Sequence, residues 1–246
     1  MKAFPVHPQW PSILKGILAR AAALKEKALL AFDLDSTLFD NRPRQARIMR
    51  EFGEASKVPE LTAVTAADFI CGGWDMKIAM QRHGLGEARI AELLPLLKKF
   101  WSARFFTSPY CTDDVAIEGA ADFCQAVIKT GAQLIYVTGR HEAMREGSIA
   151  AMRQSGFPLP GEGRTKLLMK PTLEQSDDDF KRLAHAELKE MGELLAAFDN
   201  EPIHANDYRR NFPGATVIHL ATDHSGREDA LLEGIVSAPN FAYAVD

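Results

Sequence analysis

The stretch Ala28-Leu29-Leu30-Ala31-Phe32-Asp33-Leu34-Asp35-Ser36-Thr37-Leu38 decides the fold. Five apolar residues run without polar alternation and stop abruptly at Asp33, the pattern of a strand buried on both faces of a parallel sheet. Two carboxylates two residues apart then fall at the C-terminal end of that strand, where ligands bind in open α/β sheets. Such a pair suits phosphoryl transfer: one carboxylate attacks phosphorus, and the other protonates the leaving oxygen and then activates water. By itself the pair could also be a polar turn.

Outward from this stretch the grammar repeats. Residues 12–26 have helical periodicity, with Pro11 suited to a first turn. Residues 118–130 read as a helix closed by Gly131, followed by a buried strand at 133–137. A helix over 141–154, a weaker strand at 165–169 and a helix at 177–192 come next. Strands at 193–198 and 215–220 then flank a helical stretch near 202–210. Strands alternating with helices imply parallel pairing through crossovers, hence an α/β, Rossmann-like sheet flanked by helices. Residues 41–112 break the rhythm: helical patterns at 43–54, 76–83 and 86–104 and no convincing strand pair. They are expected to form an inserted α-helical domain, leaving residues 1–40 and 113–246 as the core.

Two further strand ends carry chemistry. Thr138-Gly139-Arg140 follows Leu134-Ile135-Tyr136-Val137 and offers a hydroxyl, an exposed N–H and a helix N-terminus to an anion. Asp199-Asn200-Glu201-Pro202 brings a third carboxylate to the same edge, completing an oxygen-rich site suited to Mg²⁺. Alone, Asp199 would read as a helix cap.

These residues resemble the haloacid dehalogenase superfamily, specifically its phosphatases. Phe32–Leu38 is similar to the first motif, Val137–Arg140 to the second and Phe198–Asn200 to the fourth. The resemblance covers residues 28–40 and 116–220, and the insertion stands where many members carry a cap. It implies Asp33 as nucleophile and Asp35 as acid/base, with Mg²⁺ held by Asp33, the Asp35 carbonyl and Asp199. Thr138, Gly139 and a lysine would bind phosphate. An acid at position 35 favours esters, whose leaving alkoxides need a proton, over halides. For the lysine, Lys181 within the helix 177–192 is preferred to Lys170, the other being a solvated surface residue. Asn200 stands where many members place a second acidic residue; it could bond a metal-bound water, and Glu201 or Asp207 could substitute. Arg140 is a further candidate.

The expected function is Mg²⁺-dependent hydrolysis of a small phosphorylated metabolite through an aspartyl-phosphate. The alternatives are a phosphotransferase or mutase on the same scaffold and a phosphoacceptor signalling protein, with a catalytically silent binding protein disfavoured by the full set of core carboxylates. A net charge of −4 argues against a general nucleic-acid binder, a phosphorylated end excepted. No apolar run is long enough for a membrane span, and no secretory signal is evident, so a cytoplasmic location is expected. Cys71, Cys111 and Cys124 lack metal-type spacing and are expected to be reduced thiols. Residues 41–112 hold eleven Lys/Arg against seven Asp/Glu. Among them, Arg42, Arg44, Arg47 and Arg50 read either as a basic face steering an anion or as a solvated, paired face. Trp74, Phe100, Trp101, Phe105 and Phe106 could line a pocket or form the insertion's small core.

Overall fold

A computed structural model describes residues 4–70, 74–227 and 229–243. Its core strands are β1 (Ala28–Phe32), β4 (Gln133–His141), β5 (Thr165–Lys170), β6 (Glu193–Asp199), β7 (Thr216–Leu220) and β8 (Val236–Ala238). They form one sheet in the order β5-β4-β1-β6-β7-β8, with every pairing parallel. From β1 the chain builds outward through β4 and β5, then returns to β6 on the other side of β1. The order therefore reverses between β1 and β6, the switch point where α/β proteins bind ligands.

All five residues of β1 are buried, because helices cover both faces of the sheet. On one face α1 (Trp10–Leu24), α5 (Ala120–Lys129) and α6 (Arg145–Gln154) contribute Leu14, Ile17, Phe123, Val127 and Met152 to a core around Leu30 and Phe32. The Phe32 and Phe198 rings stack there with centroids 4.4 Å apart. On the other face α7 (Asp177–Met191) and α8 (Pro202–Asn211) pack Phe180, Leu188, Ala205 and Tyr208 against Leu29, Ala31 and Val137. Ser176 caps α7 by accepting from the Asp179 N–H at 3.4 Å, and Asp177, Asp178 and Asp179 in its first turn suit the helix dipole.

The insertion holds α2 (Arg42–Ala55), α3 (Met76–Arg82) and α4 (Glu87–Phe105), with an apolar cluster of its own that includes Met49, Phe52, Leu61, Met80, Ile90 and Leu97. Its two ends are tied by a short antiparallel pair, β2 (Phe39–Asp40) with β3 (Val115–Ala116). Sequence reading found no strand pair here, because two-residue strands are too short to show alternation. It also missed β8, three residues whose edge is covered where the His7 N–H donates to the Ser237 carbonyl at 2.8 Å. The helix expected from residue 141 begins at Arg145, because an irregularity between Thr138 and His141 carries β4 onward as far as His141.

No helix among the described residues is long and apolar enough to cross a membrane. Cys111 and Cys124 are buried, unpaired thiols, and Cys71 lies outside the described residues.

Candidate active site

Asp33 follows β1 directly, its N–H bonded to the Phe198 carbonyl of β6 at 3.0 Å. The next residues turn at once: the Leu34 carbonyl accepts from the N–H groups of Thr37, Leu38 and Phe39, and Ser36 takes a left-handed conformation with φ 60°. A non-glycine residue there holds about 1–3 kcal/mol of strain, common where a loop is fixed beside a site. Asn200, at the end of β6, pins this turn by accepting from the Thr37 hydroxyl at 3.1 Å and donating to the Asp223 carbonyl at 2.6 Å.

Lys181 joins the end of β1 to the end of β6. From α7 its buried Nζ donates to Asp33 Oδ1 at 2.9 Å and to Asp199 Oδ2 at 2.6 Å. Lys170, in contrast, pairs with Asp177 at 2.6 Å. It is not the solvated residue expected, because the end of β5 lies under the start of α7 and Lys170 is buried. Asp199 Oδ1 accepts the Glu201 N–H at 2.9 Å, just ahead of α8, whose N-cap is Glu201 with no side-chain cap bond, and Oδ2 meets Lys181.

Asp35 is held differently. Arg140 places Nε 2.9 Å from Oδ2 and Nη2 2.6 Å from Oδ1, and Arg44 Nη2 stands 3.3 Å from Oδ1. Burial works to raise the Asp35 carboxyl, but the arginine charges outweigh it and hold the group at about 2. Asp33 moves the other way, to about 7: burial raises it, Lys181 opposes, and the charges of Asp199 and Asp35 add to the rise. Burial would also raise Asp199, yet Lys181 and His204 keep it below the ordinary carboxylate range.

Arg44 thus belongs to the site and not to a steering face; it is fully buried. Arg42 is bonded to Asp223, Arg47 to Glu51 and Asp113, and Arg50 to the Val64 carbonyl. The basic run is spent on internal partners, since α2 packs between the core and the rest of the insertion.

A cavity of about 110 Å³ opens over these groups, lined by Asp33, Asp35, Gly139, Arg140, Lys181 and Asn200, with Trp74 and Phe106 from the insertion facing them. A Cβ on Gly139 would come within 2.8 Å of the Asp177 carboxylate, which would have to swing aside. Thr138 is fully buried, does not line the cavity, and accepts the Arg140 N–H at 3.1 Å. Trp101 and Phe105 stack in the insertion at 4.7 Å, so the aromatic residues divide between pocket wall and core. Glu201 lines the cavity but accepts from the Ser225 N–H and hydroxyl, and Asp207 pairs with Arg210 at 2.9 Å, away from it.

Sequence reading missed His204 and Asp178. His204 Nε2 lies 2.8 Å from Asp178, and its Nδ1 lies 3.5 Å from Asp199 Oδ1. Arg227 also bonds Asp178 at 2.8 Å. The signal was weak: a lone histidine five residues beyond Asp199, on the inner face of a helix.

The donor set fits a hard cation. Two carboxylates reach one Nζ and so face a common point, and the backbone of Asp35 lies beside Asp33. Four carboxyl groups, Asp33, Asp35, Asp114 and Asp199, stand among three cations, Lys181, Arg44 and Arg140. Among the described residues no group of three or more His, Cys, Asp and Glu side chains could hold a metal, so a bound ion would draw on main-chain oxygen and water besides the two carboxylates.

No family model and no curated protein matches the chain. Solved structures do. The Mycobacterium tuberculosis protein tyrosine kinase A (PtkA) is 18% identical with a TM-score of 0.53, over 88% of this chain and 94% of that one. A haloacid dehalogenase-like hydrolase from Streptococcus pneumoniae, SP0104, is 13% identical with a TM-score of 0.44, over 81% and 88%. A class C acid phosphatase from Bacillus anthracis with tungstate bound is 15% identical with a TM-score of 0.43, over 79% of this chain, which spans 60% of the length of that phosphatase. What the fold and the pocket define is an α/β protein with an acidic, lysine-bridged cavity at the switch point of a six-stranded parallel sheet. The likeness to PtkA, which extends over most of both chains, is one of fold alone.

Proposed function

We propose that this chain is a Mg²⁺-dependent phosphomonoesterase working through an aspartyl-phosphate on Asp33, with residues 41–112 as a cap over the core formed by 1–40 and 113–246. The observation that carries the reading is the bridge of Lys181 between Asp33 and Asp199, which draws three distant parts of the sequence around one small cavity.

An oxygen of Asp33 attacks phosphorus and the bond to the leaving oxygen breaks, with Asp35 giving that oxygen a proton. Asp35 then takes a proton from water as the water attacks the phosphoryl group, which frees Asp33 and inorganic phosphate. Lys181 and the Gly139 N–H hold phosphoryl oxygens. Mg²⁺, bound by Asp33, the Asp35 carbonyl and Asp199, would neutralise charge developing on those oxygens. Asp35 rests here as a carboxylate, the form that activates water; to act as an acid it must first gain a proton on one oxygen, the other still held by the arginines.

A cavity of this size walled by Trp74 and Phe106 suits a single phosphoryl group on a small, partly apolar leaving group. The purified protein should hydrolyse an aryl phosphate with Mg²⁺, stop in EDTA, and lose about 10³-fold or more with Asp33→Asn. Near-normal turnover by Asp33→Asn would overturn the mechanism. Transfer to sugar acceptors measured beside release to water separates hydrolase from phosphotransferase.

A further inference from the structure

Lys181 does not bond Asp35, and behind the two arginines that do stands a fourth ion. Asp114 Oδ1 accepts from Arg44 Nε at 2.8 Å, and Asp114 Oδ2 accepts from Arg140 Nη2 at 2.6 Å and from Arg44 Nη2. Each Nη1 has a partner as well: Arg44 Nη1 bonds the Phe105 carbonyl at 2.9 Å, and Arg140 Nη1 bonds Ser148 Oγ at 3.2 Å. The Arg44 guanidinium also lies 4.3 Å over the Phe105 ring. Arg44 comes from the first turn of α2 and Asp114 immediately precedes β3, so one residue belongs to each stem of the insertion.

We propose that Arg44 and Asp114 are positioning residues for Asp35: they fix the plane of the Arg140 fork and, through it, the direction in which Asp35 presents its carboxyl to the leaving oxygen. The proposal rests on the reading of Asp35 as acid/base. Three buried charges and the half-buried Asp35, balanced in sign, contribute little net stability compared with apolar packing, so the consequence of this quartet is geometric. Two planar guanidinium groups sharing one carboxylate leave it few rotamers, which is what proton transfer to a fixed atom requires. Because both stems supply a member, the placement of the insertion and the orientation of Asp35 are set together.

The test is the dependence of kcat/KM on the leaving group. Departure of an alkoxide needs a placed acid, whereas para-nitrophenolate leaves with little help. Arg44→Lys and Asp114→Asn are expected to slow alkyl phosphates about 10–100-fold, within the range of general acid catalysis, and para-nitrophenyl phosphate only about threefold. Asp35→Asn should show the same pattern, and Asp35→Asn combined with Arg44→Lys should be no slower than Asp35→Asn alone. An equal fall for all esters would mean a structural role, and no fall would mean no role; either overturns the proposal. Should Asp114→Asn fail to fold, Arg44→Lys, with its melting curve checked, carries the test. Failure of the underlying reading looks different: there, the wild-type protein releases no phosphate or Asp33→Asn remains active.

Discussion

Lys181 reaches Asp33 across 148 residues of sequence with its Nζ 2.9 Å from Oδ1, and the same Nζ lies closer still, at 2.6 Å, to Asp199. Burial alone would drive this ammonium toward neutrality, yet the two carboxylates hold it charged. Lys181→Met would keep the stem and leave both acids facing one another without a cation. Breaking a buried pair in this way costs about 3–5 kcal/mol. The variant should therefore melt lower without metal, lose at least about 10²-fold in kcat/KM, and gain more thermal stability from Mg²⁺ than the wild type does. Lys170→Met breaks a pair whose acid, Asp177, is half-exposed, and should shift stability by about 1 kcal/mol or less. Reversal of the two phenotypes in melting and activity assays would reassign the lysine.

His204 stands behind Asp199 as Asn200 does behind the turn at Thr37. Its bond to Asp178 fixes the ring, and Asp178 is held at about 2, first by Arg227, with burial opposing and His204 assisting. Partners behind a metal-binding carboxylate typically contribute 10–100-fold to affinity. His204→Ala is expected to raise the Mg²⁺ concentration for half-maximal activity by about that factor, with kcat at saturating metal largely kept. Titration calorimetry with Mg²⁺ checks the same change without turnover, and unchanged affinity would remove His204 from the site.

The elements that could be read in advance are those in which local pattern and tertiary role agree. Ala28–Phe32 has only apolar residues and is buried throughout, and Gly131, at φ 87°, stops α5 as its position suggested. Asp33, Asp35 and Asp199 were visible because each stands at or just past the end of a buried strand, whereas Thr138 lies within β4 and does not line the cavity. Arg44 was not: in sequence it is one of four arginines, and only the fold shows that α2 turns it inward onto Asp114 while Arg47 faces Asp113 and Glu51. The choice between Lys170 and Lys181 likewise depends on how α7 crosses the sheet, a long-range distance that residue spacing does not encode. β8 escaped because three residues carry no period.

Trp74 is 42% exposed for so large a ring, yet it packs edge-on against Trp101 and Phe105 with centroids 5.9 and 5.5 Å away and lines the same cavity as Asp33. On the proposed function an aromatic wall of this kind would bind the leaving group without entering the chemistry. Trp74→Ala should raise KM for an aryl phosphate about 5–30-fold, the loss expected from about 1–2 kcal/mol of ring contact, and leave kcat within about twofold. A fall in kcat at unchanged KM would instead place Trp74 in the transition-state contacts.

His185 on α7 sets a pH limit on the fold itself. Its ring is buried against Tyr208 and Phe212, at 4.5 and 5.3 Å between centroids, and neither ring nitrogen has a hydrogen-bond partner among the described residues. Of the charged groups around it, Asp207 and Asp199 favour the imidazolium and Lys181 and His204 oppose it; burial dominates and holds the imidazole down at about 4. The unfolded chain, with an ordinary histidine near 6.5, therefore binds a proton between those values that the folded protein refuses. The stability contributed by keeping His185 neutral is complete above about pH 6.5, declines as pH falls toward 4 and changes no further below, a span on the order of 3 kcal/mol. Urea midpoints measured from pH 7 to 4 should show this slope, and His185→Phe, which fills the aromatic site without a titratable group, should flatten it. Parallel curves for the two proteins would mean that His185 takes up its proton in the folded state as readily as in the unfolded one.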